Sequence, residues 1–198
     1  KPLNAPLGRD STVDVCPVGA LTSKDFRFKA RAWYLQSTPS ICPGCSTGCN
    51  VYVDQTDGVI RRIRPRYNGD VNDWWMCDKG RYNYKMVQED RVLAPRTLLN
   101  GAHAQASWTD ALSRAADRLN LAREAGGEGS LAIIASPWLT NEDGFALAKL
   151  ASEHLGLRTI FLGGLPPGEA DDILRDADKN PNATGLKSIF AAFGLKIA

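Results

Sequence analysis

Through "SWTDALSRAADRLNLAREAGG" apolar residues recur at helical spacing: Trp108, Ala111, Leu112, Ala115, Leu119 and Ala122 fall on one stripe. Ser107 is placed to cap this stretch and the glycines at 126 and 127 to end it, so the pattern predicts one amphipathic helix. The short apolar run "LAIIAS" at 131–136 predicts a buried strand. A second helix follows in "TNEDGFALAKLASEHLG", with Thr140 and Asp143 in capping-box spacing and Gly156 as terminator. "LRTIFLGG" predicts the next strand and "GLKSIFAAFGLK" a last helix. Helix, strand, helix, strand in that order argues for a parallel sheet flanked by helices, although only two strands are clear.

Ahead of this half the texture differs. Residues 1–36 keep no period of helix or strand and read as an extended lead-in, with Cys16 in "CPVGAL" and the basic, aromatic "FRFKARAWYL". "NVYVDQTDGVIRRIRPR" alternates and predicts two strands around a turn at Asp57-Gly58, set among frequent glycines and prolines. The fold class expected is α/β (α+β overall): a small, hairpin-rich module followed by a partial Rossmann-like parallel α/β domain. The divisions fall at 1–36, 37–98 and 99–198.

Composition narrows the function mainly by exclusion. With 24 basic and 22 acidic residues in 198 the net charge is +2, which gives no electrostatic reason to expect nucleic acid. "LAIIA" is far too short to cross a bilayer and "KPLNAPLGRD" lacks an apolar signal region, so no direct membrane insertion is expected. Lys1 stands where a Met would begin a complete chain, and the expectation is an internal piece of a longer one. Five cysteines, an odd number, disfavour a disulfide framework and suit a reducing compartment, where clustered thiols usually bind metal.

Three of those thiols lie in "ICPGCSTGCN" and a fourth in "WWMCDKGR", giving C-x2-C-x3-C-x27-C over Cys42, Cys45, Cys49 and Cys77. A structural zinc site usually draws two ligands from each of two knuckles. Here the division is three and one, which suits a cubane [4Fe-4S] cluster, since one loop can wrap three iron corners while a distant segment supplies the last. Zinc remains the competing metal. Gly44 and Gly48 would let backbone N–H groups approach the sulfurs, and Arg61, Arg62, Arg64, Arg66, Lys79 and Arg81 lie near enough in sequence to offset thiolate charge, Lys79 first among them. Trp74, Trp75 and Met76 are candidates for an apolar shell or for plain core packing. Cys16 reads as an orphan ligand or a plain thiol.

"CPVGALTSKDFRFKARAWYL", "CPGCSTGCNVYV", "RIRPRYNGDVNDWWMCDKGR" and "EADDILRDADKNPN" together resemble the large iron–sulfur subunits of bacterial NADH-quinone oxidoreductase, respiratory complex I, over nearly the whole chain. That family is related to the molybdopterin oxidoreductases, such as formate dehydrogenase, which carry a cluster module ahead of an α/β body. The resemblance implies that 37–98 is a 4Fe-4S module of the bis-pterin enzyme type, with Cys42, Cys45, Cys49 and Cys77 as ligands and Lys79 matching a lysine between cluster and pterin. It makes 1–36 the tail of an absent ferredoxin-like region, with Cys16 matching the last ligand of one of its clusters. The implied role is an electron-transfer domain of an NADH:quinone oxidoreductase, inactive as an isolated chain. Its partners would be the other peripheral-arm subunits, on the cytoplasmic side of the inner membrane. The alternatives are a cluster- or zinc-stabilised scaffold, or a fragment of a pterin-dependent formate dehydrogenase, which would need a further metal-binding cysteine that the chain lacks.

Other features attract less chemistry. "LGGLPPGEADD" places glycines after a strand without matching a dinucleotide or P-loop pattern, and reads as a strand-to-loop turn. The carboxylates of "GEADDILRDADKN" read as a solvated face. His103 and His154 read as surface or helix-end residues, and no catalytic side-chain arrangement can be argued.

Overall fold

In the computed structural model, which describes residues 11–99, 101–126 and 129–198, the first sheet is built on the alternation expected of "NVYVDQTDGVIRRIRPR". Strands β2 (Asn50–Thr56) and β3 (Val59–Pro65) pair antiparallel around Asp57 and Gly58. Their φ values, 53° and 72°, are the left-handed pair that a two-residue hairpin needs. A third strand, β1 (Gln36–Ile41), pairs antiparallel with the outer edge of β2. The sequence hid it because "QSTPSI" is polar and contains Pro39, which an edge strand accommodates.

Residues 11–36 are more structured than the extended lead-in expected. A short helix, α1 (Ser11–Val15), and a 3-10 turn at Ala32–Tyr34 break it up. This segment covers the polar face of the sheet, where Phe26 stacks under the Arg62 guanidinium at 4.3 Å. The same face holds Asp54, fully buried, which accepts from Arg62 Nε and Arg64 Nε at 2.7 Å each and from Ser37 Oγ at 2.6 Å. Burial opposes its ionisation, but the bonds from Arg64, Ser37 and Arg62 outweigh that and hold the carboxyl below the usual carboxylate range.

After β3, Asn68 to Trp75 form turns leading to α2 (Asp78–Tyr82) and α3 (Lys85–Gln88). A second hairpin, β4 (Arg96–Leu99) with β5 (Ala102–Gln105), occupies the stretch expected only as a boundary. The expected long helix is α4 (Trp108–Gly126), capped as foreseen by Ser107 Oγ, which accepts from Asp110 N at 3.1 Å. Gly127 lies outside the described residues. The apolar stripe of α4 finds no core: none of its residues is buried and Trp108 is 69% exposed.

The parallel sheet is present and has one strand more than expected, in the order β6 (Ile134–Ala135), β7 (Thr159–Leu162), β8 (Lys196–Ile197). "LAIIAS" contributes only two paired residues, with Ala135 buried and Ile134 exposed, so it is a half-buried edge and not the fully buried strand its composition suggested. Helix α5 (Asn141–Lys149) starts at Thr140, whose hydroxyl accepts from Asp143 N at 3.1 Å, and widens into a π turn at Leu150–His154 before Gly156. Helix α6 (Ala183–Ala192) packs on α5 so closely that a Cβ on Gly144 would stand 2.3 Å from Leu186 Cδ2. Ala148, Ala151, Ile160, Leu186, Phe190 and Leu195 form the core of this half.

Replacing Asp54 by Asn leaves two arginines without their shared carboxylate and is expected to cost about 3 kcal/mol in urea unfolding, the low end for a broken buried pair because both guanidiniums remain partly in water. The carboxyl is depressed in the folded state, so its stabilisation is complete above the unfolded value near ~4 and is lost as pH falls through the lower folded value. The gap between wild type and Asp54→Asn should therefore narrow on acidification below about pH 4.

Candidate metal centre

The loop from Cys42 to Cys49 leaves β1 and returns into β2, and it is pinched shut at its base by Cys42 N–H donating to Cys49 C=O at 2.8 Å. Gly48, at φ +64°, makes the turn within it. Cys77 arrives from the far side as the N-cap of α2, its sulfur accepting from Gly80 N at 3.4 Å. Buried Asn72 fixes the distance between these segments. Its Oδ1 accepts from Asn50 N at 2.9 Å and its Nδ2 donates to Trp75 O at 3.0 Å, which ties the residue after Cys49 to the turn before Cys77.

These connections bring Cys42, Cys45, Cys49 and Cys77 to the wall of one small, mainly apolar cavity, with Lys79 at its edge. All four are free thiols. Among the described residues no three Cys, His, Asp or Glu side chains converge on a point where a single metal ion would sit. The four cysteines share the lining of one cavity. Gly80 keeps that space open, since a Cβ there would lie 2.9 Å from Cys42 Sγ and 3.6 Å from Cys77 Sγ. Burial pushes the Cys42 thiol up to about 11 against a backbone N–H from Gly44, and pushes Cys49 up to about 12, with the neighbouring sulfurs adding to both.

The sheet's apolar face and Met76 close the site from behind: Val51, Ile63 and Met76 pack with Cys42 and Cys49. Met76 thus lies where an apolar shell or plain core packing would place it. Trp74 does not; it is 65% exposed and packs on Tyr67 at 4.6 Å between ring centres. Trp74 and Trp75 line a different, larger groove beneath residues 13–32. The arginines are also elsewhere. Arg62 and Arg64 serve Asp54, Arg66 bonds Asn50 Oδ1, and Arg81 pairs with Asp14. Arg61, Arg62, Arg64 and Arg81 line the groove with the tryptophans, so of the six cations considered only Lys79 reaches the cysteine cavity. Cys16 is not among the residues lining it, and backbone N–H groups led by that of Leu21 hold its thiol below the usual value.

The remaining wall comes from the segment between β7 and α6, which reads in sequence as a turn followed by a solvated acidic face. It contributes Leu174, Arg175 and Lys179 to the cavity. The attachment is specific: Thr47 Oγ1 donates to Leu174 O at 2.7 Å and accepts from Cys45 Sγ at 3.3 Å, and Ser46 N donates to Asp178 O at 2.9 Å. Trp138 Nε1 adds a bond to Pro43 O at 3.1 Å. The available signal was indirect: "EADDILRDADKNPN" is one of the stretches carrying the family resemblance, yet nothing in its spacing relates it to the cysteines.

A family model, the molybdopterin oxidoreductase Fe4S4 domain, matches residues 35–89, which contain all four cavity cysteines. The chain is 38% identical over 169 residues to an NADH-quinone oxidoreductase subunit of Streptomyces coelicolor, covering 83% of this chain and 19% of that protein. It is 33% identical over 169 residues to NADH-quinone oxidoreductase subunit 3 of Thermus thermophilus, covering 82% and 21%. It is 36% identical over 178 residues to the NADH-ubiquinone oxidoreductase 75 kDa subunit of Reclinomonas americana, covering 87% and 25%. The chain thus spans about a fifth to a quarter of the length of these relatives. The matched domain indicates a 4Fe-4S cluster, and the chemistry of the cavity fits one: four cysteines and no carboxylate among the lining residues, and at Gly80 a position where a Cβ would crowd Cys42 Sγ.

Gly80→Ala is expected to cost about 1–3 kcal/mol in thermal or urea unfolding by overpacking against Cys42 Sγ, and to lower iron retained per chain. Gly44→Ala, whose Cβ would lie at an ordinary 3.4 Å from the same sulfur, serves as the milder comparison.

Proposed function

We propose that this chain, whose residues 35–89 form a molybdopterin oxidoreductase Fe4S4 domain, is an electron-transfer domain that holds one [4Fe-4S] cluster on Cys42, Cys45, Cys49 and Cys77. The observation that carries the reading is the placement of four free thiols, three from one loop and one from a helix cap, around one acid-free cavity. When bound, such a cluster supplies one-electron oxidation and reduction. The chain's own residues do the rest. Gly44 and Gly80 direct N–H groups at the sulfurs of Cys42 and Cys77, Met76, Val51 and Leu174 exclude water, and Lys79 brings a cation to the rim.

The same reading divides the chain into a lead-in at 1–36, a cluster module at 37–98 and the first part of an α/β domain at 99–198. It makes the chain part of an NADH:quinone oxidoreductase, docked to other subunits of that complex on the cytoplasmic side of the membrane. Support comes from the NADH-quinone and NADH-ubiquinone oxidoreductase relatives and from the absence, among the described residues, of any helix long and apolar enough to cross a membrane. Oxidation of NADH and reduction of quinone belong to the whole complex in this reading, not to the isolated chain.

A second reading, a structural centre, is favoured by the bonds that join the cysteine loop to the α/β half through Thr47 and Ser46. One experiment separates the two. Anaerobically purified protein should carry about four irons and about four labile sulfides per chain, with an EPR signal on reduction. Serine at position 42, 45, 49 or 77 should lower both, while Cys16→Ser should not. Stoichiometric zinc without sulfide, or a cluster whose reduction leaves turnover of the whole complex unchanged, would establish the structural reading.

A further inference from the structure

We propose that Lys179, not Lys79, is the cation that sets the reduction potential of the group held by the four cysteines; this rests on the cluster reading above. Four thiolates in an apolar cavity concentrate negative charge, and each added electron concentrates more. A fixed positive charge stabilises the reduced state most where water cannot screen it. The cavity lining offers three cations, Lys79, Arg175 and Lys179, and no carboxylate.

They differ in how much of their charge the cavity feels. Lys79 is exposed, so solvent and salt attenuate it. The Arg175 guanidinium is about a quarter exposed, 26%, and lies 3.4 Å from the largely exposed Glu169 carboxylate, so its charge is partly screened by water and partly offset by that ion. Lys179 is 6% exposed, and its ammonium donates to two backbone carbonyls, Glu169 O at 2.7 Å and Asp176 O. Those carbonyls replace water without neutralising the charge. Its stem runs so close to Gly168 that a Cβ there would lie 2.7 Å from Lys179 Cε, which fixes the chain's path. The loop carrying it is itself rigid: Asp171 Oδ1 accepts from Ile173, Leu174 and Arg175 N–H groups, and Gly168 N donates to Ala177 O at 2.9 Å. Lys179 is therefore a positioned, desolvated charge, and its role is to tune potential, not to bind iron.

The test is an EPR-monitored redox titration of the full chain with Lys179→Gln, Lys179→Arg and Lys79→Gln, alongside iron and sulfide analysis of each. Lys179→Gln should lower the midpoint by about tenfold in the one-electron equilibrium, ~59 mV. Lys79→Gln should shift it less, and Lys179→Arg should restore the wild-type value. Loss of the cluster in Lys179→Gln with retention at the wild-type midpoint in Lys179→Arg would also support a requirement for the charge. A cluster-bearing Lys179→Gln with an unchanged midpoint, a larger shift from Lys79→Gln, or loss of the cluster in both Lys179 variants would overturn the proposal, the last by making Lys179 a structural anchor. Absence of iron and sulfide from the wild type would instead defeat the cluster reading beneath it.

Discussion

Cys42 and Cys49, packed against Val51, Ile63 and Met76, set a conflict that organises the rest of the molecule: burial favours the protonated thiol, whereas a metal centre takes the thiolate. Burial pushes Cys42 and Cys49 well above an ordinary thiol. Deprotonation at neutral pH therefore needs positive charge delivered inside the cavity, and a bound metal centre delivers it. The protein prepares for that state without contributing carboxylates. Its own offsets are N–H dipoles at Gly44 and Gly80 and the cations at the lining.

The same conflict explains why the site cannot be completed by the sheet module alone. Residues 42–49 and 77 provide the thiols and a floor, but the outer wall is Leu174 with Arg175 and Lys179, more than a hundred residues downstream of the loop it seals. Asp171 makes that wall possible. Desolvation works against its charge, yet N–H bonds from Leu174, Arg175 and Ile173 prevail and hold its carboxyl below the usual range, so the loop is preorganised at neutral pH. Thr47 then couples the wall to the ligand loop through one hydroxyl, touching Leu174 O and Cys45 Sγ together. Order in one loop favours order in the other.

Legibility from sequence followed the range of the interactions. The Asp57-Gly58 hairpin, the Ser107 and Thr140 caps and the order of the α/β elements rest on contacts within a few residues, and each is visible as a pattern. The meeting of the four thiols at one cavity was legible in part because three of them lie in a single short loop. Strand β1 was missed because an edge strand need not alternate, and β8 because two residues carry no period. The role of residues 165–182 was illegible for a different reason. Acidic residues that look solvated, such as Asp171 and Asp178, spend their oxygens on backbone N–H groups within the loop, and only the folded loop delivers Lys179 inward. Proximity in sequence also misled about the arginines, which strand geometry carries away from the cysteines.

That last displacement follows from strand alternation past Ile63, and a single extra residue keeps Ile60 on the apolar side with it. Across β2 and β3 the register pairs Gln55 with Ile60 but Asp54 with Arg62, leaving Arg61 as a bulge. Without it Ile60 and Ile63, three apart, would point to opposite faces; with it both pack toward the cysteine core, and Arg62 and Arg64 fall together on the other face beside Asp54. The sheet thereby sorts its side chains into an apolar face for the sulfurs and an ionic face sealed by Phe26. Charges so sorted neutralise Asp54 and are separated from the thiols by the thickness of the sheet. A cation for the cysteine side must then come from outside the sheet, and the downstream loop that closes the cavity is the element positioned to bring one.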